Sequence, residues 1–124
     1  MRATEAHFGG LDVLVNNAGY GYVAAVEEGE DAEVRAMFET NYFGVLSMIK
    51  AVLPGMRSRR SGHIINISSM TGLVGNPGVA YYSSSKFALE GLTEALSKEM
   101  VPFGIKALLV EPGVFRTDCT TCSC

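Results

Sequence analysis

Three short runs rich in apolar and β-branched residues set the tightest limit on how this chain can fold. They cover residues 12–15, 63–67 and 105–110, and turn-forming residues come after each run. The intervals between the runs are long enough for helices, so the predicted order is strand, helix, strand, helix, strand. Because the runs are nearly continuous in apolar residues rather than alternating, this order predicts an α/β fold with a parallel sheet, right-handed crossovers and helices on both faces.

The two intervals carry helical signals. Apolar residues recur at helical spacing over residues 34–53, and Pro54 is expected to stop or kink that helix. Arginines suit its C-terminal end, and Gly62 is expected to close the segment. A second helix is predicted over residues 82–100.

Polar and turn-forming residues lie at the predicted carboxyl ends of all three strands. They occupy residues 16–19, 68–69 and 112–113. Ligands of open parallel sheets bind at that edge. We therefore expect these turns, and the helix that begins near Tyr82, to converge on one functional site.

Tyr82 and Lys86 are the strongest candidates for chemistry. Their spacing of four puts both side chains on one face of a helix, one turn apart. A nearby ammonium favours the tyrosinate and lowers the pKa of the phenol, which makes the pair a plausible proton donor and acceptor for an alcohol or a ketone. For the pair considered alone, a core tyrosine beside a solvated lysine is the commoner explanation.

The composition limits the class of protein and its partners. With 124 residues, 48% of them hydrophobic and 19% charged, the chain suits one small packed domain. A formal net charge of −3 gives no electrostatic reason to expect nucleic acid or an anionic membrane as partner. No apolar run is long enough to span a bilayer, and residues 1–7 lack the apolar core of a signal peptide, so a cytoplasmic location is predicted.

The three cysteines lie together at the end of the sequence, as Cys119, Cys122 and Cys124. This spacing could hold a metal ion or a redox pair. His7 and His63 are far away in sequence and no second cluster completes a zinc site, so we expect no metal and a frayed tail without function.

Five motifs in their order and spacing resemble the short-chain dehydrogenase/reductase (SDR) family. The resemblance runs from about Gly9 to Asp118. It implies a partial Rossmann-like, three-layer fold that keeps three of the family's seven strands, with residues 1–118 as a partial NAD(P)-binding domain and 119–124 as a divergent tail. The motifs are Asn16-Asn17-Ala18-Gly19, Asn41 in Asn41-Tyr42-Phe43-Gly44, Ile67-Ser68-Ser69, Tyr82 with Lys86, and Pro112-Gly113 followed by Thr117.

The resemblance implies a role for each catalytic candidate. Tyr82 would exchange a proton with the substrate oxygen, and Lys86 would lower the tyrosine pKa and bind the nicotinamide ribose. Ser69 would hold and polarise the substrate oxygen; Ser68 competes for that role, but its position favours a bracing hydroxyl. Asn41 would order a water in the proton relay, with a helix-bending polar residue as the open alternative.

The resemblance also implies NAD or NADP as cofactor. Asn17, Ala18 and Gly19 would lie along it, together with Tyr82 and Lys86. The turn at residues 112–113 would present backbone to the nicotinamide carboxamide, although a plain strand-terminating turn is the alternative. The cofactor-facing residues there are Pro112, Gly113, Val114 and Thr117.

The family's glycine-rich cofactor turn is missing from these 124 residues. The resemblance therefore predicts a fragment that is inactive alone, derived from a parent that acts on a small alcohol or carbonyl substrate and forms a homo-oligomer. The strand at residues 12–15 would become an exposed apolar edge, and the isolated chain would be marginally stable. A second hypothesis is a non-catalytic module that associates with a full-length relative through its two long helices.

Overall fold

The computed structural model of the protein describes residues 1–114 and has an α/β fold around one parallel sheet. Its strands are β1 (Val13–Asn16), β2 (Gly62–Ile67) and β3 (Ile105–Val110), in the spatial order β1-β2-β3. Leu14 is level with Ile64, and Ile64 with Ala107. The predicted parallel sheet is confirmed, and β1 lies at its edge.

Four α-helices surround or extend the sheet within the described residues. They are α1 (Arg2–Phe8), α2 (Asp31–Phe38), α3 (Gly44–Arg59) and α4 (Ala80–Glu99), with a π-helical turn at Glu39–Phe43 that joins α2 to α3. Short 3-10 turns occur at Val26–Glu28, Met70–Gly72 and Val101–Phe103. None of the helices in residues 1–114 has the length and apolar character needed to cross a membrane.

The hydrophobic core lies between the sheet and the pair α3 and α4. Every second residue of the strands points into it, as the buried Leu14, Ile64 and Ala107 show. Both helices add apolar side chains at helical spacing, which is the amphipathic pattern that the sequence predicts. The helical members of the core are Val45, Ile49, Val52, Met56, Leu89 and Leu96.

The prediction of helices on both faces of the sheet is wrong for the described residues. On the face opposite α3 and α4, Val13, Val15, Leu108 and Val110 are 47%, 53%, 49% and 43% exposed. The strands succeed one another in a single direction across the sheet, and right-handed crossovers in one direction bring successive helices to the same face. Two such helices therefore cover one face of the sheet, and the apolar residues of the other face remain about half exposed.

Pro54 does not end its helix, because α3 continues to Arg59, and the alternative that it kinks the helix stays a prediction. A proline removes one helical hydrogen bond, but here the residues beyond it are held by packing, since Met56 is fully buried. The helix closes at Arg60, in the left-handed conformation with φ 54°. Gly62, expected to close the segment, instead begins β2, where a Cβ would lie 2.5 Å from the Met56 sulfur.

Candidate active site

The candidate residues converge at the carboxyl edge of the sheet, as expected for a parallel α/β fold. β1 ends at Asn16, β2 ends at Ile67 and β3 ends at Val110, and all three run in the same direction. The three sequence motifs that come after these residues therefore lie side by side. Helix α4 begins at the same edge and contacts the turn after β2.

Tyr82 and Lys86 lie on the first turns of α4, on one face. The Lys86 Nζ is 5.7 Å from the centroid of the Tyr82 ring. Lys86 is only 5% exposed, and its Nζ donates a hydrogen bond of 3.0 Å to the carbonyl of Ile67. The ammonium is therefore held at the end of β2, next to the phenol, rather than extended into solvent.

Asn41 is fully buried in the π-helical turn, where both hydrogens of its amide and one acceptor position of its Oδ1 take part in hydrogen bonds. Its Oδ1 accepts from the Tyr20 amide at 3.0 Å, and its Nδ2 donates to the Tyr20 carbonyl at 2.9 Å. The same Nδ2 donates to Ser85 Oγ at 3.2 Å. Asn41 thus joins the segment after β1 to α4, and the widened turn is what carries its side chain to that junction.

Ser85 is a residue of the site that the sequence reasoning missed. It is fully buried, and its Oγ donates to the Tyr82 carbonyl at 2.7 Å while it accepts from Asn41. The hydroxyl therefore connects Asn41 to the backbone of the candidate acid. Its position between Tyr82 and Lys86 was a signal, but a serine in a serine-rich run does not stand out.

Ser69 and Ser68 have different surroundings. Ser69 caps the 3-10 turn, where its Oγ accepts from the Thr71 amide at 3.3 Å and from the Thr71 hydroxyl at 3.1 Å. A serine hydroxyl has two acceptor positions and one donor, so Thr71 fills the acceptors and leaves Ser69 the role of donor. Ser68 is buried, with its Oγ beneath Gly72 and next to Glu90, and its backbone amide donates to the Val110 carbonyl at 2.7 Å.

The residues predicted to face a cofactor lie at the open side of this edge. Asn17, Ala18 and Gly19 are exposed, and a Cβ added to Gly19 would lie 3.1 Å from Asn41 Oδ1 and 3.5 Å from Lys86 Nζ. Gly19 therefore lets the backbone pass close over both side chains. On the other side of the edge, Pro112 is half-buried, whereas Gly113 and Val114 are exposed.

Two predictions on the tail fall outside the described residues. Thr117 lies there, and so do the cysteines at 119, 122 and 124. Within residues 1–114, no group of three or more histidine, cysteine, aspartate or glutamate side chains is arranged to hold a metal ion.

Asn16, the last residue of β1, braces the sheet. Its Nδ2 donates to Asn66 Oδ1 at 2.8 Å, and Asn66 Nδ2 donates to Thr93 Oγ1 at 2.8 Å. Thr93 Oγ1 in turn donates to the Leu89 carbonyl at 2.8 Å. This buried chain of hydrogen bonds crosses β1, β2 and α4, so it fixes α4 and the candidate acid relative to the sheet.

Comparison with known proteins gives a consistent result. The family model of the short chain dehydrogenases matches residues 1–123. A 3-ketodihydrosphingosine reductase of Bacteroides thetaiotaomicron is 54% identical over 112 residues, which make up 90% of this chain and 42% of the relative. The chain thus spans less than half the length of that curated relative.

Solved structures agree with this assignment. A short-chain dehydrogenase from Streptomyces avermitilis superposes with a TM-score of 0.90 at 49% identity, over 94% of this chain and 43% of that one. A gluconate 5-dehydrogenase from Burkholderia cenocepacia, solved with NADP and tartrate, superposes with a TM-score of 0.92 at 34% identity, over 96% of this chain and 47% of that one. The chain belongs to the short-chain dehydrogenase family.

Proposed function

We propose that this chain carries the acid–base centre of an NAD(P)-dependent oxidoreductase that interconverts an alcohol and a ketone or aldehyde. One observation carries the proposal: the buried Lys86 ammonium lies 5.7 Å from the Tyr82 ring centroid, at the edge where all three strands end. Membership of the short-chain dehydrogenase family supports the same chemistry.

Tyr82 is the proton donor and acceptor in this proposal. During reduction a hydride adds to the carbonyl carbon and the Tyr82 hydroxyl gives its proton to the oxygen, which leaves a tyrosinate; oxidation runs the same steps in reverse. A cation held nearby favours the charged phenolate, and the hydrogen bond of Lys86 to the Ile67 carbonyl keeps that cation in position.

Ser69 polarises the substrate oxygen in this proposal. Because Thr71 occupies its acceptor positions, the Ser69 hydroxyl is available as a donor, which is what a carbonyl oxygen accepts. Asn41 keeps its amide on the Tyr20 backbone and Ser85, so its contribution is to hold the segment after β1 against α4. A water ordered by Asn41 remains a prediction from the family resemblance.

The residues at this edge fit the nicotinamide and ribose end of NAD or NADP. The close approach of the Gly19 backbone to Asn41 and Lys86 leaves a cradle that a Cβ would fill. Such a dinucleotide, when bound, supplies or takes up the hydride. The residues that would hold it are Asn17, Ala18, Gly19, Tyr82, Lys86, Pro112, Gly113 and Val114, with Thr117 proposed from the sequence alone.

The pyrophosphate end has no comparable support, because no glycine-rich turn occurs in the 124 residues. We therefore propose that the 124-residue chain alone has negligible turnover. The test joins it to the residues of the Streptomyces avermitilis dehydrogenase that lie outside the matched region, and measures oxidation of NADPH and NADH with a panel of small ketones and aldehydes.

Tyr82→Phe in this chimera is expected to lower kcat by about 10²-fold or more, because general acid–base catalysis contributes about that much. Tyr42→Phe removes a tyrosine hydroxyl from the π-helical turn Glu39–Phe43 and is the control for loss of such a hydroxyl, with little change expected. A chimera that is equally active with Tyr82→Phe, or that turns over no carbonyl substrate while it binds dinucleotide, would refute the proposal. Turnover by the unfused chain would refute the proposal that the 124 residues alone are inactive.

A second candidate is a module that associates with a relative through its two long helices. It is favoured by large apolar side chains that these helices leave in solvent, namely Phe43, Met48 and Phe87. Co-purification with a full-length relative without dinucleotide binding would support this alternative over the enzymatic one.

A further inference from the structure

The connecting segment, residues 20–30, runs from the end of β1 across the start of α4. At its near end, Tyr20 is bound to Asn41, and a Cβ on Gly21 would lie 3.9 Å from the Tyr82 ring. In its middle, the Ala24 amide donates to the Gly78 carbonyl at 2.9 Å. The segment therefore forms a wall beside the ring of the proposed acid.

The far end of this segment is held by Tyr81, the residue before the proposed acid. The Tyr81 hydroxyl donates to the Val26 carbonyl. A Cβ added to Gly29 would overlap the Tyr81 ring, so this ring lies directly against the Gly29 backbone. The Tyr81 side chain thus contacts the segment at Val26 and Gly29, which are about fifty positions before Tyr81 in the sequence.

A second tyrosine strengthens the contact from within the segment. The Tyr22 ring lies 6.2 Å from the Tyr81 ring, centroid to centroid, at an interplanar angle of 35°. The Tyr22 hydroxyl accepts a hydrogen bond of 3.1 Å from the Glu30 amide. This bond joins the last residue of the segment to a residue near its start. Aromatic pairs at this distance add stabilisation beyond their buried area.

We propose that Tyr81 is a positioning residue that holds the connecting segment as one wall of the substrate space beside Tyr82. The side chains of successive helical residues point about 100° apart. Tyr82 can therefore point towards the substrate space while Tyr81 contacts the connecting segment beside it. That a substrate binds beside this wall rests on the proposed function. That Tyr81 holds the connecting segment rests only on the contacts of Tyr81.

Whether Tyr81 holds the connecting segment is tested on the 124-residue chain by amide hydrogen exchange. The amides of Ala24, Glu28 and Glu30 are reporters, because each donates a hydrogen bond in or next to the segment. Tyr81→Phe is expected to raise their exchange rates about two- to tenfold, which is the effect of one lost hydrogen bond on a local opening. Amides of β2 should keep their protection, which shows that the variant is folded.

Gly29→Ala tests the same contact from the other side, because the new Cβ must displace the Tyr81 ring. We expect a similar rise in exchange, and no further rise when it is combined with Tyr81→Phe. Gly75→Ala is the control, since a Cβ there would meet no atom within 4 Å, and Tyr42→Phe controls for loss of a tyrosine hydroxyl. Unchanged exchange of the segment in both test variants would overturn the proposal.

The functional half is tested in the chimera with the Streptomyces avermitilis dehydrogenase. If the wall orients substrate, Tyr81→Phe raises KM for the carbonyl substrate several-fold and leaves KM for the dinucleotide and kcat nearly unchanged. An equal loss in every parameter, or no change in any, would overturn the positioning role. Failure of the chimera to turn over any carbonyl substrate would count against the proposed function. The exchange experiment would still decide whether Tyr81 holds the connecting segment.

Discussion

At the scale of single residues, Glu90 is the most unusual group among the described side chains. It lies one turn beyond Lys86 on α4, its Oε1 is buried, and a Cβ on Gly72 would come within 3.1 Å of that oxygen. Burial raises the pKa of Glu90 above its ordinary value, and the neighbouring carboxylates of Glu111 and Glu94 raise it further. The nearby Ser68 hydroxyl opposes this change only in part.

A raised pKa for Glu90 has a defined consequence for stability. In the pH window between the ordinary value of 4.5 and the raised value, the folded chain binds more protons than the unfolded chain. Stability therefore falls as the pH rises through this window. The loss reflects the repulsion and desolvation of a carboxylate that the fold holds beside another carboxylate.

Glu90→Gln is expected to remove this loss, because the amide resembles the protonated acid in shape and carries no charge. The variant should melt at a higher temperature than the original chain at pH 7, and the difference should shrink towards pH 4. Thermal unfolding followed by circular dichroism over this range provides the measurement. Glu99→Gln is the control at an exposed position of the same helix; an equal gain in both variants would contradict the prediction.

At the scale of elements, the joint between α2 and α3 decides where Asn41 lies. The sequence predicts one helix over residues 34–53, and the chain is helical throughout that range, but with a π turn in it. Periodicity finds the helix because the buried face repeats every few residues. It does not find the extra residue in one turn, since this is stabilised by the bonds of Asn41 to Tyr20 and Ser85, which are distant in sequence.

Two helical glycines should respond differently to alanine. Gly91 lies within α4, where a Cβ would meet no atom within 4 Å, so Gly91→Ala should stabilise the chain by about 0.5–1 kcal/mol through helix propensity. Gly44 begins α3, where a Cβ would lie only 3.0 Å from the Glu39 carbonyl oxygen because of the π turn.

Gly44→Ala should therefore lose this gain or destabilise the chain. Urea denaturation of both variants gives the free energies of unfolding. Equal stabilisation by the two alanines would show that the π turn adapts without strain, contrary to this expectation.

At the scale of the whole molecule, the uncovered face of the sheet is the main weakness. Valines of β1 and the residues Leu108 and Val110 of β3 are half exposed there, and β1 is also an edge strand. Exposed apolar patches and open edges favour association between chains. We accordingly expect the isolated 124-residue chain to self-associate and to unfold over a broad temperature range.

Val15→Lys should shift the chain towards monomer, because a charge on the uncovered face and on its edge strand opposes burial of that face against a second molecule. Analytical ultracentrifugation over a range of protein concentrations provides the measurement. Val101→Lys, at an exposed apolar residue outside the sheet, is the control and should leave the association unchanged. A monomeric original chain with a sharp, cooperative melt would refute the expectation.

The sequence by itself determined the order of strands and helices, the parallel sheet and the edge at which the motifs meet. These features depend on patterns within short windows of the chain, where apolar runs and turn residues have direct physical meanings. The spacing of Tyr82 and Lys86 belongs to the same class, since both lie on one helix.

Only the tertiary structure decided which groups touch across the chain. The bond between Asn16 and Asn66 joins residues fifty positions apart, and Tyr81 meets Val26 over a similar distance. The bare face of the sheet is likewise a result of both crossovers returning on one side. Such contacts leave no periodic trace in the sequence, because each depends on two distant segments that only the complete fold brings together.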